Sequence, residues 1–153
     1  MTDPRVAKLA DLLINYSLEL GPGQLVRIDG GTVAAPLMTE LYREALRAGA
    51  NAHTRVLIEE VEFIDVHEGS DEQLVFVSEI ERFEIENLDA LITIWADRNT
   101  RAFSQADPVR VSRRIASRRA LTNRYWSGWT KARRAGSARA FRRTRTPRTP
   151  TCR

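Results

Sequence analysis

The sequence is poor in the residues that build disulfides and soft metal sites. Its 153 residues include one cysteine, Cys152, and two histidines, His53 and His67. A single cysteine excludes an intrachain disulfide and a cysteine-based metal cluster, and it is typical of a reducing compartment. There is no apolar run of the roughly 18 residues that a membrane helix needs, and no signal-like stretch opens the chain. We therefore expect a cytoplasmic protein that does not enter a membrane.

Acidic residues are absent from the last third of the chain. All 20 lie at or before Asp107, where they accompany nine Lys and Arg, whereas the segment from Pro108 onward contains fifteen Lys and Arg. The formal net charge of +4 is thus the sum of two segments of opposite sign. The basic character of the whole chain comes from the second segment alone.

The apolar pattern predicts strands that alternate with helices. Predicted strands lie at about 25–28, 54–58 and 90–95, and predicted helices or helical regions at about 4–20, 32–48, 70–87 and 107–121. The nearly continuous apolar run from Ala90 to Trp95 is typical of a strand buried on both faces of a parallel sheet. The length suits one domain. We predict an α/β fold, with βαβ units forming a parallel sheet that has helices on both faces.

Three features allow a binding site as well as a plainer interpretation. Gly30-Gly31-Thr32, between a strand and a helix, could bind an anion through free N–H groups, or form a tight turn without the glycine spacing of a nucleotide site. The acidic run Glu59, Glu60, Glu62 and Asp65 could bind a cation or form a solvated face. Trp95 could wall a cleft at the end of its strand, lie in the core, or pack on another surface.

The histidines and the cysteine do not form a recognisable catalytic pattern. Neither His53 nor His67 has a second imidazole three or four residues away, although Asp65 and Glu68 lie near His67 in sequence. We therefore interpret both as ordinary surface or packed histidines. No serine lies in a Gly-x-Ser-x-Gly motif, and Cys152 lacks the surroundings of a nucleophile.

Several short stretches, in order, match one known family. They are Asp3-Pro4-Arg5-Val6, Asn15-Tyr16-Ser17, Pro22-Gly23-Gln24-Leu25-Val26, Ala35-Pro36-Leu37, Leu41-Tyr42-Arg43-Glu44-Ala45-Leu46, Ser70-Asp71-Glu72-Gln73-Leu74, Asn87-Leu88-Asp89-Ala90, Asn99-Thr100-Arg101-Ala102 and Asp107-Pro108. Over about its first 123 residues, the chain resembles the N-terminal domain of the aminopeptidase T and aminopeptidase S family of thermophilic-type metallopeptidases.

The resemblance implies a fold, an activity and a cofactor. It implies hydrolysis of N-terminal residues from peptides by two divalent metal ions, such as zinc or cobalt, in a cytoplasmic homodimer. In that family the metal ligands come from a C-terminal domain, which would begin beyond Arg153. We therefore assign no catalytic, cofactor-binding or metal-binding residue to this chain, and we expect the chain by itself to be inactive.

The resemblance ends where the composition changes. We divide the chain into an N-terminal α/β domain, residues 1–123, and an Arg-rich, low-complexity tail, residues 124–153, which we expect to be disordered. We favour a shifted reading frame as the origin of the tail. A disordered linker and an arginine-rich arm for nucleic acid are the alternatives, and the competing function is a small anion- or nucleic-acid-binding module.

Overall fold

The computed structural model describes residues 3–96, 106–127, 129–131 and 138–143. In chain order the elements are α1 (Pro4–Asp11), a π-helical turn (Leu12–Ser17), β1 (Leu25–Gly31), a 3-10 turn (Thr32–Ala34), α2 (Ala35–Arg47), β2 (Asn51–Leu57), α3 (Glu59–Glu68), α4 (Asp71–Val75), α5 (Glu79–Asn87), β3 (Ala90–Ile94), α6 (Pro108–Ser127), β4 (Trp129–Lys131) and β5 (Ala138–Arg143). The predicted α/β class is confirmed.

Side-chain caps decide where several helices begin. Asp3 accepts a hydrogen bond from the backbone N–H of Arg5 at the start of α1. Ser70 and Gln73 exchange side-chain and backbone hydrogen bonds in a capping box that opens α4. Ser78 caps α5 through one bond, in which its hydroxyl oxygen accepts from the backbone N–H of Ile80. The helical region predicted from residue 70 to residue 87 is therefore two helices, because a second capping serine follows the extended residue Phe76.

Three parallel strands, β2, β1 and β3, form one side of the sheet, and the strand order is β2-β1-β3-β5-β4. β1 pairs in parallel with both β2 and β3, so that Arg27 lies opposite His53 on one side and opposite Leu91 on the other. β5 pairs antiparallel with β3. Within the tail predicted to be disordered, the described residues thus include the end of α6 and two short strands. The boundary at residue 123 stays a prediction, and α6 runs across it.

The main core lies on one face of this sheet. Val26 and Ile28 of β1 and Ile92 of β3 are fully buried there, against α1, the π-helical turn and α2. Successive strand residues point to opposite faces, so the residues between them lie on the other face. A smaller apolar cluster of Leu25, Leu88 and Leu91 occupies that second face. None of the described helices is long and apolar enough to span a bilayer.

Gly49 ends α2 in a conformation that other residues adopt with strain. Its φ is +78°, and a Cβ at this position would lie 3.2 Å from Cγ of Pro22. We expect Gly49→Ala to lower the free energy of unfolding by about 1–2 kcal/mol, since a left-handed backbone crowds Cβ. Urea denaturation followed by circular dichroism measures this change.

The matched control is Gly21→Ala. There the nearest atom to an added Cβ is Oε1 of Gln24 at 3.9 Å, and the backbone is not left-handed. Equal urea midpoints for Gly49→Ala and Gly21→Ala would contradict the assignment of strain to Gly49.

Candidate functional site: a buried ion cluster on the sheet

Two charged residues lie inside β1, the middle one of the three parallel strands. Arg27 and Asp29 are only 3% and 6% exposed. They alternate with Val26 and Ile28, so both point to the sheet face opposite the main core. Burying a charge is costly unless it is paired and hydrogen-bonded, so the partners of these two side chains define the site.

The guanidinium of Arg27 is shared by two carboxylates. Its Nε lies 2.9 Å from Oδ1 of Asp29, and its Nη2 donates to Oδ2 of the same carboxylate at 3.0 Å. Its Nη1 donates to Oε2 of Glu84, on α5, at 2.7 Å. Arg27 therefore joins two elements, because one carboxylate comes from its own strand and the other from a helix packed over the sheet.

The cluster carries more negative than positive charge when both of these carboxylates are ionised. Burial raises the pKa of Asp29 above its ordinary 3.8, and the charge of Glu84 adds to this rise. The neighbouring Arg27 and, more weakly, Arg55 oppose it. Because one guanidinium contacts two carboxylates, it offsets only part of the desolvation cost of the ionised Asp29 side chain.

His53 is the one sequence-identified candidate that the structure brings to the cluster. It lies on β2 directly opposite Arg27, and its Nε2 is 4.0 Å from Oε1 of Glu84. That separation is longer than a hydrogen bond. The imidazole thus borders the cluster, whereas the carboxylate of Glu84 is engaged by Arg27.

His67 and the acidic run lie elsewhere, on α3. The His67 ring stacks on Phe63 with centroids 3.7 Å apart, and its Nδ1 lies 2.9 Å from the Phe63 carbonyl oxygen. Asp65 of the acidic run forms an ion pair with Arg114 of α6. The acidic run thus lies in a helix, and part of this helix contacts α6.

The first arginines of the basic segment complete this docking. Arg110 donates through Nε to the carbonyl oxygen of Val66 at 2.7 Å, and Nη1 of Arg113 lies 2.7 Å from Oδ2 of Asp71. These contacts join α6 to α3 and α4. The opposite charges of the two sequence segments therefore meet within the domain.

Gly30 and Gly31, predicted to form a turn, are instead the last two residues of β1, where they are closely packed. A Cβ on Gly30 would lie 3.0 Å from Sδ of Met38, and one on Gly31 would lie 3.2 Å from the carbonyl oxygen of Ala96. Thr32 then begins a 3-10 turn of three residues. Both glycines are needed for the fold itself, and nothing in this geometry favours an anion over a plain turn.

The end of β3 lies close to the end of β1. Ala96, just past β3, approaches Gly31 at the end of β1, at the strand ends where open parallel sheets commonly bind ligands. Trp95 is 55% exposed, so it does not lie in the core. Its packing on another surface stays a prediction. Cys152 lies outside the described residues.

Sequence reasoning missed Arg27, Asp29 and Glu84. The available signal was a pair of opposite charges two residues apart inside an otherwise apolar strand, which places both on one sheet face. Glu84 could not be found in this way, because it lies 57 residues from Arg27 and is one of four glutamates in its helix.

The comparisons with known proteins define the class of this chain. Residues 2–134 match the family model described as thermophilic metalloprotease (M29). The chain belongs to this family, that of aminopeptidases T and S, as the resemblance in its sequence indicated. This family is one of metallopeptidases.

Among solved structures, the chain is similar to wild-type AmpT from Thermus thermophilus. The TM-score is 0.61 and the sequence identity 20%, with coverage of 80% of this chain and 32% of that one. At this identity the likeness establishes the fold, and the chain spans about a third of that protein. No curated protein matches the chain.

The residues present do not fit the metal centre that the family implies. Among the described residues, no group of three or more His, Cys, Asp and Glu is arranged to hold a metal ion. The carboxylates of the buried cluster face a guanidinium, which would repel a cation. We therefore assign the cluster a structural role and derive no catalytic step through a metal from these residues.

Removing the shared cation should destabilise the fold strongly. We expect Arg27→Met to lower the free energy of unfolding by about 3–5 kcal/mol, because Asp29 would be left buried without its main partner. The double variant Arg27→Met/Asp29→Leu should recover part of this loss. Urea denaturation of these two variants and of Asp29→Leu alone tests the coupling.

If the two substitutions were simply additive, Arg27 and Asp29 would not act as a pair. The control is Arg5→Met, which removes an arginine from an exposed position on α1.

The stability of the protein should also depend on the protonation of Asp29. Because the pKa of Asp29 is higher in the folded than in the unfolded chain, protonation stabilises the fold below 3.8, and this stabilisation is lost as the pH rises through the folded-state pKa. The unfolding free energy of the wild type relative to Asp29→Asn should thus decline as the pH rises from about 3.

Urea titrations of the two proteins between about pH 3 and pH 7 measure this difference. Glu72→Gln, which removes an exposed carboxylate from α4, is the control. A difference that stays constant, or that grows in favour of the wild type with rising pH, would reverse the sign assigned here.

Proposed function

We propose that this chain is the N-terminal α/β domain of a metal-dependent aminopeptidase that releases N-terminal amino acids from peptides. The observation that carries the proposal is the match of residues 2–134 to the thermophilic metalloprotease family. The similarity of its fold to part of AmpT supports it.

In this proposal the domain supplies a scaffold, and other residues supply the chemistry. The divalent metals, two per subunit and of the zinc or cobalt kind, polarise the scissile carbonyl and activate water in this class of reaction. Their ligands would come from a part of the enzyme that corresponds to the region of AmpT outside the similarity. The buried cluster of Arg27, Asp29 and Glu84 would hold α5 on the sheet and thereby shape the surface offered to that part.

Three further properties belong to the same proposal. The 153-residue chain would be inactive by itself, the complete enzyme would act as a homodimer in the cytoplasm, and its substrates would be peptides. Ion pairs support the expected inactivity. The carboxylates of Asp29 and Glu84 both contact Arg27, and that of Asp65 contacts Arg114, so these three carboxylates are engaged by arginines and not by a metal ion.

The proposal predicts activity only in a complete enzyme. We expect the purified chain to leave leucyl-aminomethylcoumarin intact with added Zn²⁺ or Co²⁺, while AmpT, assayed in parallel, serves as the reference. A chimera in which residues 3–121 replace the corresponding part of AmpT should hydrolyse the substrate and lose this activity with a chelator.

The two assays separate the parts of the proposal. Turnover by the 153-residue chain would contradict its inactivity but support the enzyme class. A chimera that folds, binds metal and leaves several N-terminal residue types uncleaved would contradict the role of this domain in an aminopeptidase. Circular dichroism and metal analysis of the chimera establish that it is folded and loaded.

A further inference from the structure

β2 forms an open edge of the sheet. In the described sheet it pairs with β1 alone, with residues 51–57 in register with 25–31. The backbone N–H of Asn51 donates to Gln24, so the odd-numbered residues of β2 bond toward β1. The backbone groups of Ala52, Thr54 and Val56 therefore point away from the sheet, where a further strand would meet them.

Apart from the charge of Arg55, this edge has few of the devices that commonly prevent strand pairing. Edge strands are often protected by proline, lysine, a bulge or short length. β2 has seven residues in unbroken register, and its sequence contains none of proline, glycine and lysine. It is thus suited to accept an extended chain.

A groove runs beside the open edge, on the α2 side of the sheet. It has a volume of about 320 Å³ and is lined by Ala35, Met38, Thr39, Tyr42, Thr54 and Val56. Tyr42 and Val56 are 38% and 53% exposed at its rim. Because side chains alternate along a strand, every second residue of an added strand would lie over this groove.

The intervening residues of an added strand would meet positive charge. Arg55 is exposed on the other side of β2, and within the described part of the chain it makes no ion pair. A carboxylate opposite Arg55 would supply that pair. The edge consequently matches a segment in which an acidic residue stands between two apolar ones.

Charge disfavours a second copy of this chain as the added strand. Antiparallel pairing of β2 with itself about Thr54 would set Arg55 of each copy opposite His53 of the other, and β2 contains no acidic residue. Two such pairs are repulsive whenever His53 is protonated. An acidic peptide has no such cost.

We propose that the outer edge of β2 binds an extended acidic peptide by strand addition, with its apolar side chains in the groove between α2 and β2. The proposal relies on the proposed aminopeptidase function only for the choice of peptides as the ligand class. The site would hold a part of a peptide that does not undergo cleavage.

The probe is N-acetyl-Val-Glu-Val-Glu-Val with a fluorophore at its C-terminus, titrated with the whole 153-residue chain and followed by fluorescence anisotropy. Acetylation removes the free N-terminus on which an aminopeptidase acts, so binding is measured without turnover. We expect saturable binding that weakens about tenfold in Thr54→Pro, because proline lacks the outward N–H and blocks strand addition.

A charge exchange tests the same edge without altering its backbone. Arg55→Glu should weaken binding of the glutamate peptide about fivefold and strengthen binding of N-acetyl-Val-Lys-Val-Lys-Val, since each opposite-charge pair favours the matching partner. Arg5→Glu, the same change on α1, is the control and should leave both affinities unaltered. Tyr42→Ala should weaken binding of both peptides through the groove.

Three results would overturn the proposal. They are the absence of saturable binding, equal binding by the wild type and by a folded Thr54→Pro or Arg55→Glu variant, and a dimer in sedimentation that Thr54→Pro dissociates while the peptide does not bind. The last would assign the edge to a second copy. Peptide binding combined with an inactive, metal-loaded chimera would refute the proposed function and leave this site in place.

Discussion

The burial of the Arg27 guanidinium constrains how the layers of this domain can be assembled. A cation that is 3% exposed must have its partners in place, and one of them, Glu84, lies on α5. The helix must therefore sit over β1. The apolar cluster on this face is small and consists of Leu25, Leu88 and Leu91. The ion cluster therefore helps to hold the helix on the sheet here, whereas an apolar core holds the helices on the opposite face.

Charge also joins the outer helices, in a different way. α6 docks on α3 and α4 through Arg110, Arg113 and Arg114, whose partners are Asp65, Asp71 and backbone carbonyl oxygens. These pairs are partly exposed, so each contributes little by itself. Their effect is to orient helices that have few fully buried side chains.

The sequence predicted what depends on local pattern and missed what depends on distant pairing. β3, α1 and α2 follow from continuous or periodic hydrophobicity, and these elements were confirmed. The region from Glu59 to Asp65 was described only as acidic, because a weakly amphipathic segment has no clear period. Its helix contacts α6, some 50 residues away, and the local pattern does not show that contact. The ion cluster was missed for a similar reason, since Glu84 is assigned to Arg27 only by the packing of α5.

The same packing determines where the domain can interact. Gly30 and Gly31 let Met38 of α2 and Ala96, just past β3, approach the end of β1 closely. The second sheet face is covered at its centre by the ion cluster. The side of β2 is the part of the described sheet where unpaired backbone, an apolar groove and an exposed arginine come together. In the proposed enzyme this surface would contribute to recognition, because an open strand edge can engage the main chain of a peptide irrespective of which residue is to be removed.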